Sequence, residues 1–151
     1  MNRVYWDSKL FIYLLEGNPH YLPKVERLLR QIEATGDRLS TSVFTLGEVL
    51  TGPRKAGSTS AVTQIRSYFQ SGKIEILPFD AATADMYSVL RSSFKLSQVD
   101  AIHMATAAIA RVDIFFTNDS GLLQLAVPGI KFIADVDGKI HTRYQPNKTS
   151  P

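Results

Sequence analysis

The chain has 151 residues, of which 44% are apolar and 21% charged, with a net charge of +3 and no cysteine. These values suit one globular domain and exclude disulfides, thiolate metal ligands and a thiol nucleophile. No apolar run approaches the ~18 residues that span a bilayer, and no signal-peptide pattern opens the chain. We therefore expect a cytoplasmic protein with no membrane partner. The positive charge mildly favours a polyanionic partner.

Strand and helix patterns alternate along the chain, with no internal repeat. Strands are predicted at residues 3–6, 38–42, 73–79, 113–118 and 130–134. Helices are predicted at residues 8–16, within 18–37, and at 43–52, 61–72, 81–94, 97–112 and 120–127. This alternation predicts a single α/β domain with a mainly parallel central sheet and helices on both faces.

Two stretches fall outside these elements. Residues 53–60 combine Gly and Ser with basic residues, which predicts a loop. The domain is expected to occupy residues 1–136, and the polar tail at 137–151, with its two prolines, is expected to be loosely ordered.

Four acidic residues occupy positions that suggest a shared site. Asp7 directly follows the first strand and Asp119 closely follows the fourth, so both are expected at the carboxyl edge of the sheet, where such folds bind ligands. Glu48 and Asp100 stand near helix starts in apolar surroundings. Carboxylates gathered there repel one another unless a cation lies between them. With no thiolate present, Mg²⁺ or Mn²⁺ is the expected ion, and such an ion can bind phosphate oxygens and activate water.

The same acids could instead be ordinary helix caps. A single acid at a helix start is commonly structural, because the helix dipole stabilises negative charge there. Capping does not require that four acids meet at one edge of one sheet, and this favours the metal site. The candidate caps are Thr45 with Glu48, Ser97 with Asp100, and the single residues Asp7 and Asp119.

Four sequence blocks carry a resemblance to a known family. They are YWDSKLFIYLLEG, STSVFTLGEVLTGPRKAG, LSQVDAIHMATAAI and FFTNDSGLLQLAVPGIKFI, which together run from about residue 3 to about residue 135. In this order and spacing they resemble a PIN domain, and most of all the VapC-type toxin ribonucleases of bacterial toxin–antitoxin pairs. Ser120 and Gly121 stand where some relatives place a further acid or an aromatic residue, which leaves open whether one or two metals bind.

The resemblance implies parallel strands flanked by helices and a Mg²⁺- or Mn²⁺-dependent endoribonuclease that leaves a 5′-phosphate and a 3′-hydroxyl. Asp7, Asp100 and Asp119 would hold the metal directly or through water. Glu48 would complete the shell or orient the attacking water. The resemblance also implies a small antitoxin partner and a homodimer. The family's supporting positions correspond to Ser8, Thr117 and Asn118.

Several residues admit two interpretations. Arg54 and Lys55 are candidate RNA contacts, or simply a solvated basic loop. His103 shares a helix face with Asp100 and is interpreted as a buried, hydrogen-bonded histidine rather than a metal ligand. Thr117 could orient Asp119 or belong to a plain turn.

Two other functions remain alternatives at this point. The chain could be a housekeeping PIN nuclease without an antitoxin, or a catalytically silent binding module with the same fold. An aspartyl-phosphate mechanism on Asp7 is disfavoured, because position 9 carries Lys9 where a second aspartate is wanted.

Overall fold

The computed structural model describes residues 1–146. Within this range six strands form one sheet, in the order β3-β2-β1-β4-β5-β6. The first five strands pair in parallel, and β6 pairs antiparallel with β5. The strands are β1 (Arg3–Trp6), β2 (Arg38–Ser42), β3 (Glu75–Leu77), β4 (Ile114–Phe116), β5 (Phe132–Ala134) and β6 (Ile140–Arg143).

Helices cover both faces of the sheet. They are α1 (Ser8–Glu16), α2 (Leu22–Thr35), α3 (Val43–Lys55), α4 (Thr59–Gln70), α5 (Ala81–Ser93), α6 (Gln98–Ile109) and α7 (Ser120–Leu123). The alternation of β1 divides the core, because Val4 and Trp6 pack with α1–α4 on one face and Tyr5 packs with α5–α7 on the other. The prediction of an α/β domain with a mainly parallel sheet and helices on both faces is confirmed. No helix within residues 1–146 combines the length and apolar character needed to cross a membrane.

The predicted loop at 53–60 is wrong over its first three residues. Helix α3 continues through Pro53 to Lys55, and the Ala56 N–H again bonds to the Gly52 carbonyl at 3.0 Å. Proline removes one backbone donor from the helix, and the hydrogen bonding resumes after it. Arg54 and Lys55 therefore lie in the last turn of a helix rather than in a loop.

The expectation of a loosely ordered tail is wrong for residues 140–143, which form the edge strand β6. Asp135 anchors this hairpin, because its side chain accepts the backbone N–H groups of Asp137 and Lys139 and lies 2.7 Å from His141 Nε2. Burial raises the pKa of Asp135, but these hydrogen bonds outweigh it and hold the pKa below its usual value. The domain boundary at 136 stays a prediction, and residues 147–151 lie outside the described residues.

Candidate active site

The carboxyl edge of the parallel strands forms a small cleft. Asp7 follows β1, α3 begins where β2 ends, and both α6 and the turn after β4 bring their starts to the same edge. All four sequence-predicted acids line this cleft, which has a volume of about 100 Å³. The lining residues are Asp7, Ser8, Lys9, Glu48, Val99, Asp100, His103 and Asp119.

Asp7 is the most buried of the four acids, with 8% of its surface exposed. It stands at the N-cap position of α1, yet its side chain makes no capping hydrogen bond, so the capping interpretation is wrong here. Thr117 donates its hydroxyl to Asp7 Oδ2 at 2.6 Å. Oδ1 is buried and has no hydrogen-bond partner among the described residues. Burial raises the pKa of Asp7, and Asp100 raises it further, against the opposing effects of His103 and Thr117.

Thr117 links two of the acids through one hydroxyl. Its Oγ1 donates to Asp7 and accepts the backbone N–H of Asp119 at 3.1 Å. Asp119 caps α7, because its Oδ1 accepts the Gly121 N–H at 2.9 Å, as the capping interpretation expected. Asn118 does not line the cleft; its side-chain amide donates to the Tyr13 hydroxyl at 3.0 Å.

Glu48 does not belong to a capping box. The cap of α3 is Ser42, which accepts the Phe44 N–H, and the Thr45 hydroxyl is buried against that of Thr41. The Thr45–Glu48 spacing therefore carries no cap, and the Glu48 side chain is left to face the cleft.

Two hydrogen-bonding side chains meet Glu48 instead. Ser8 donates its hydroxyl to Glu48 Oε1, and His103 Nε2 lies 3.1 Å from the same oxygen. Burial raises the pKa of Glu48, but the hydrogen bonds from His103 and Ser8 outweigh it and hold the pKa below its usual value. Glu48 is thus kept as a carboxylate.

Asp100 stands in the first turn of α6, where Ser97 Oγ accepts its backbone N–H at 3.1 Å. The predicted cap at Ser97 is therefore correct, and it leaves the carboxylate of Asp100 on the cleft wall. Burial raises the pKa of this half-buried carboxyl and Asp119 raises it further, while Ser97, His103 and Lys9 act in the opposite direction.

Lys9 lines the cleft beside these acids, although no pattern in the sequence marked it as functional. The two basic residues that the sequence did mark, Arg54 and Lys55, do not line it. Arg54 borders a separate cavity of about 380 Å³ at the corner between α3 and α4, together with Arg66.

His103 is 2% exposed and both ring nitrogens have hydrogen-bond partners, so its interpretation as a satisfied buried histidine is correct. Sequence reasoning nevertheless missed its contact with Glu48. Spacing within α6 predicts that His103 lies near Asp100, but the neighbours that it meets from α1 and α3 depend on the tertiary fold.

The donor chemistry of the cleft suits a hard divalent cation. Its acids offer only oxygen ligands, which Mg²⁺ and Mn²⁺ prefer, and the unpartnered Oδ1 of Asp7 is a buried oxygen of the kind that a cation would satisfy. Among residues 1–146, however, no three His, Asp or Glu side chains are close enough to form a ready-made metal-binding group. Side chains that could supply ligands are Asp7, Glu48, Asp100 and Asp119.

Comparison with known proteins places this architecture. The family model described as PIN domain matches residues 4–128. No curated protein matches the chain significantly. Solved structures do, at identities that show the fold alone.

A toxin–antitoxin complex from Klebsiella pneumoniae is 23% identical with a TM-score of 0.64, covering 84% of this chain and 94% of that one. VapBC2 from Rickettsia felis, bound to a DNA fragment from their promoter, is 17% identical with a TM-score of 0.69, covering 88% and 98%. VapC20 from Mycobacterium tuberculosis, described as a sarcin-ricin loop cleaving toxin, is 16% identical with a TM-score of 0.63, covering 78% and 90%. With its family model matched over most of its length, the chain belongs to the PIN domain family.

Proposed function

We propose that this protein is a Mg²⁺- or Mn²⁺-dependent endoribonuclease that cleaves RNA phosphodiesters with an activated water. The observation that carries the proposal is the buried Asp7 Oδ1, which has no hydrogen-bond partner among the described residues yet shares a cleft with three further carboxylates. A folded chain does not favour an uncompensated buried carboxylate oxygen beside like charges, and a divalent cation compensates both.

Each acid has a distinct task in this proposal. Asp7, Asp100 and Asp119 hold the metal directly or through water. Glu48, kept ionised by its hydrogen bonds, completes the shell or orients the attacking water and accepts its proton. Thr117 fixes one oxygen of Asp7 so that the other is available. When bound, the divalent ion supplies positive charge to the phosphate oxygens and lowers the pKa of water.

RNA is the proposed substrate for two reasons. A solved structure with the same fold is described as a sarcin-ricin loop cleaving toxin, and the chain carries a net charge of +3. Lys9 adds a cation to the cleft wall, where it can contact a phosphate next to the cleaved bond.

We further propose that the protein is the toxin of a type II toxin–antitoxin pair and forms a homodimer. Two of the similar structures are described as toxin–antitoxin assemblies. Co-expression with the product of a short reading frame beside its gene should yield a stable complex in which RNA cleavage is suppressed. Active enzyme that no neighbouring product binds or inhibits would instead favour the housekeeping nuclease.

The central experiment is cleavage of end-labelled RNA by the purified protein with Mg²⁺ or Mn²⁺, with and without a chelator. Cleavage should require the metal, and Asp7→Asn and Asp100→Asn should each abolish it. Asp85→Asn, an exposed acid on α5 outside the cleft, is the matched control and should cleave normally. Full activity in either cleft variant would refute the site, and RNA binding without cleavage would favour the silent binding module.

A further inference from the structure

A chain of hydrogen bonds runs from the protein core to the cleft. The Tyr5 hydroxyl lies 2.7 Å from His103 Nδ1. His103 Nε2 lies 2.8 Å from Ser8 Oγ and 3.1 Å from Glu48 Oε1, and Ser8 also donates to that Glu48 oxygen. Tyr5 is fully buried and His103 is 2% exposed, so water does not compete for these bonds.

The direction of each hydrogen bond follows from the donors available. Among the described residues the Tyr5 hydroxyl has no hydrogen-bond partner besides His103 Nδ1. If Nδ1 carried a proton, the Tyr5 O–H would be left without an acceptor inside the core, which native proteins avoid. Tyr5 therefore donates to Nδ1, and the ring proton of a neutral imidazole is placed on Nε2, where it points at Ser8 and Glu48.

Aromatic packing fixes the two rings that make this connection. Tyr5 stacks on Phe115 with ring centroids 5.0 Å apart and planes 9° apart. Phe44, from the first turn of α3, meets the His103 ring edge-on at 6.1 Å. Neither ring can turn without repacking the core, so the donor at Nε2 keeps its direction.

We propose that His103 is the positioning residue of the cleft, with its tautomer set by Tyr5, and that it holds the Glu48 carboxylate and the Ser8 hydroxyl in one arrangement. The inference rests on the proposed function for its catalytic consequence, since Glu48 is a ligand or water-orienting group there. Groups that donate to a ligand from behind orient it, and their loss commonly costs about 10–100-fold in metal affinity or activity.

The first test needs no metal or RNA. Long-range ¹⁵N–¹H spectra of the imidazole groups report which ring nitrogen is protonated, and the chain has three histidines, so the His103→Gln variant assigns the signal. Wild-type protein should show the Nε2–H tautomer at His103. Tyr5→Phe keeps the stacked ring but removes the donor to Nδ1, and should shift the tautomer ratio or broaden the signal.

The second test measures Mn²⁺ affinity by titration and RNA cleavage in the same variants. His103→Leu should bind Mn²⁺ about 10–100-fold more weakly and lose kcat more than KM. His103→Gln places an amide N–H near the Nε2 position and should recover a large part of both. Tyr68→Phe removes a half-buried hydroxyl on α4 outside the cleft and should leave both unchanged.

A double variant separates positioning from stability. Tyr5→Phe with His103→Leu removes both polar partners together, so it should regain most of the thermal stability that His103→Leu loses. Its Mn²⁺ affinity should stay low. Recovery of affinity together with stability would show a merely structural histidine and overturn the inference.

The inference and the proposed function fail in different ways. Wild type that binds Mn²⁺ but cleaves no RNA would remove the proposed function, while the affinity series would still test positioning. An Nδ1–H tautomer in wild type, or unchanged Mn²⁺ affinity in His103→Leu, would overturn the inference even if the enzyme cleaves RNA. If wild type binds no Mn²⁺, the proposed function fails, and the imidazole spectrum decides the arrangement of Tyr5 and His103.

Discussion

The two walls of the cleft are built differently. The inner wall, Asp7 and Glu48, is held by side-chain donors, namely Thr117 on Asp7 and Ser8 with His103 on Glu48. The outer wall, Asp100 and Asp119, stands at the starts of two helices and is more exposed than Asp7. In the outer wall, the one side-chain acceptor bond among the described residues is that of Asp119 to a backbone N–H.

This difference indicates a division of labour. The inner wall is set before any ligand arrives, because its carboxylates have fixed partners in the core. The outer wall can move with its helix ends and side-chain rotamers, since little holds its carboxylates in place. Such an arrangement accounts for four acids that share a cleft without three of them forming a ready-made metal group within residues 1–146.

The largest expected effect comes from Asp7→Asn on the inner wall. It should abolish cleavage and also remove metal stabilisation. At about 100 times its Kd, Mn²⁺ should stabilise wild type by about 2.7 kcal/mol, a rise in Tm of about 5–10 °C for a chain of this size. Asp7→Asn should show almost no rise, as measured by thermal unfolding followed through Trp6, the single tryptophan. An equal shift in the variant would rule out Asp7 as a ligand.

The same variant makes a pH-dependent prediction in chelator. Because the folded-state pKa of Asp7 is raised, its cost to stability is absent below the unfolded-state pKa of about 3.9, where both states are protonated. The cost grows as pH rises through the folded-state pKa and is constant above it. Asp7→Asn should therefore gain free energy of unfolding relative to wild type as pH rises from 4. A difference that does not change with pH in urea unfolding would contradict this.

Thr117 tests how the inner wall is held. Thr117→Val keeps the shape but removes the donor to Asp7 Oδ2 and the acceptor for the Asp119 N–H. Losing hydrogen bonds of a buried, charged group should cost about 2 kcal/mol in the free energy of unfolding. Thr117→Ser retains the hydroxyl and should lose clearly less. Equal losses in the two variants would show that the methyl group, and not the hydroxyl, matters.

The sequence predicted the positions of the walls better than their internal construction. Asp7 and Asp119 could be assigned to one edge because they follow strands, and the order of a parallel sheet then brings their positions together. The partner of Glu48 could not be assigned, since His103 meets it across 55 positions of the chain and no local pattern records that contact. Spacing alone also suggested a capping box at Thr45 that the tertiary fold replaces with a buried hydroxyl pair.

The edges of elements were missed for a related reason. The tail strand β6 pairs through backbone groups at the edge of the sheet, so its mostly exposed side chains lack the apolar alternation that marks a strand. Pro53 suggested the end of a helix, but the packing of α3 continues past it. Local signals therefore predicted the order of elements, while tertiary packing determined where several of them end.

A smaller effect is expected on the outer wall, where Asp119 has both a capping and a proposed metal role. Asp119→Ala removes the bond to the Gly121 N–H and should cost about 1 kcal/mol of stability. Asp119→Asn keeps a capping oxygen and should restore that stability, but it should not restore cleavage because the charge is gone. Restored cleavage in Asp119→Asn would mean that Asp119 serves only as a cap.

The smallest effect is expected from the basic corner, because Arg54 and Lys55 lie outside the cleft. Changing both to Ala should alter RNA cleavage by less than about threefold at physiological salt. The comparison with Lys9→Ala sharpens the point, since a lost phosphate contact on single-stranded RNA lowers the slope of log affinity against log salt by about 0.7. Fluorescence anisotropy in an Asp7→Asn background should show that loss for Lys9→Ala and an unchanged slope for the Arg54/Lys55 pair. A larger loss of slope in the pair would extend the RNA path from the cleft along α3 to its last turn.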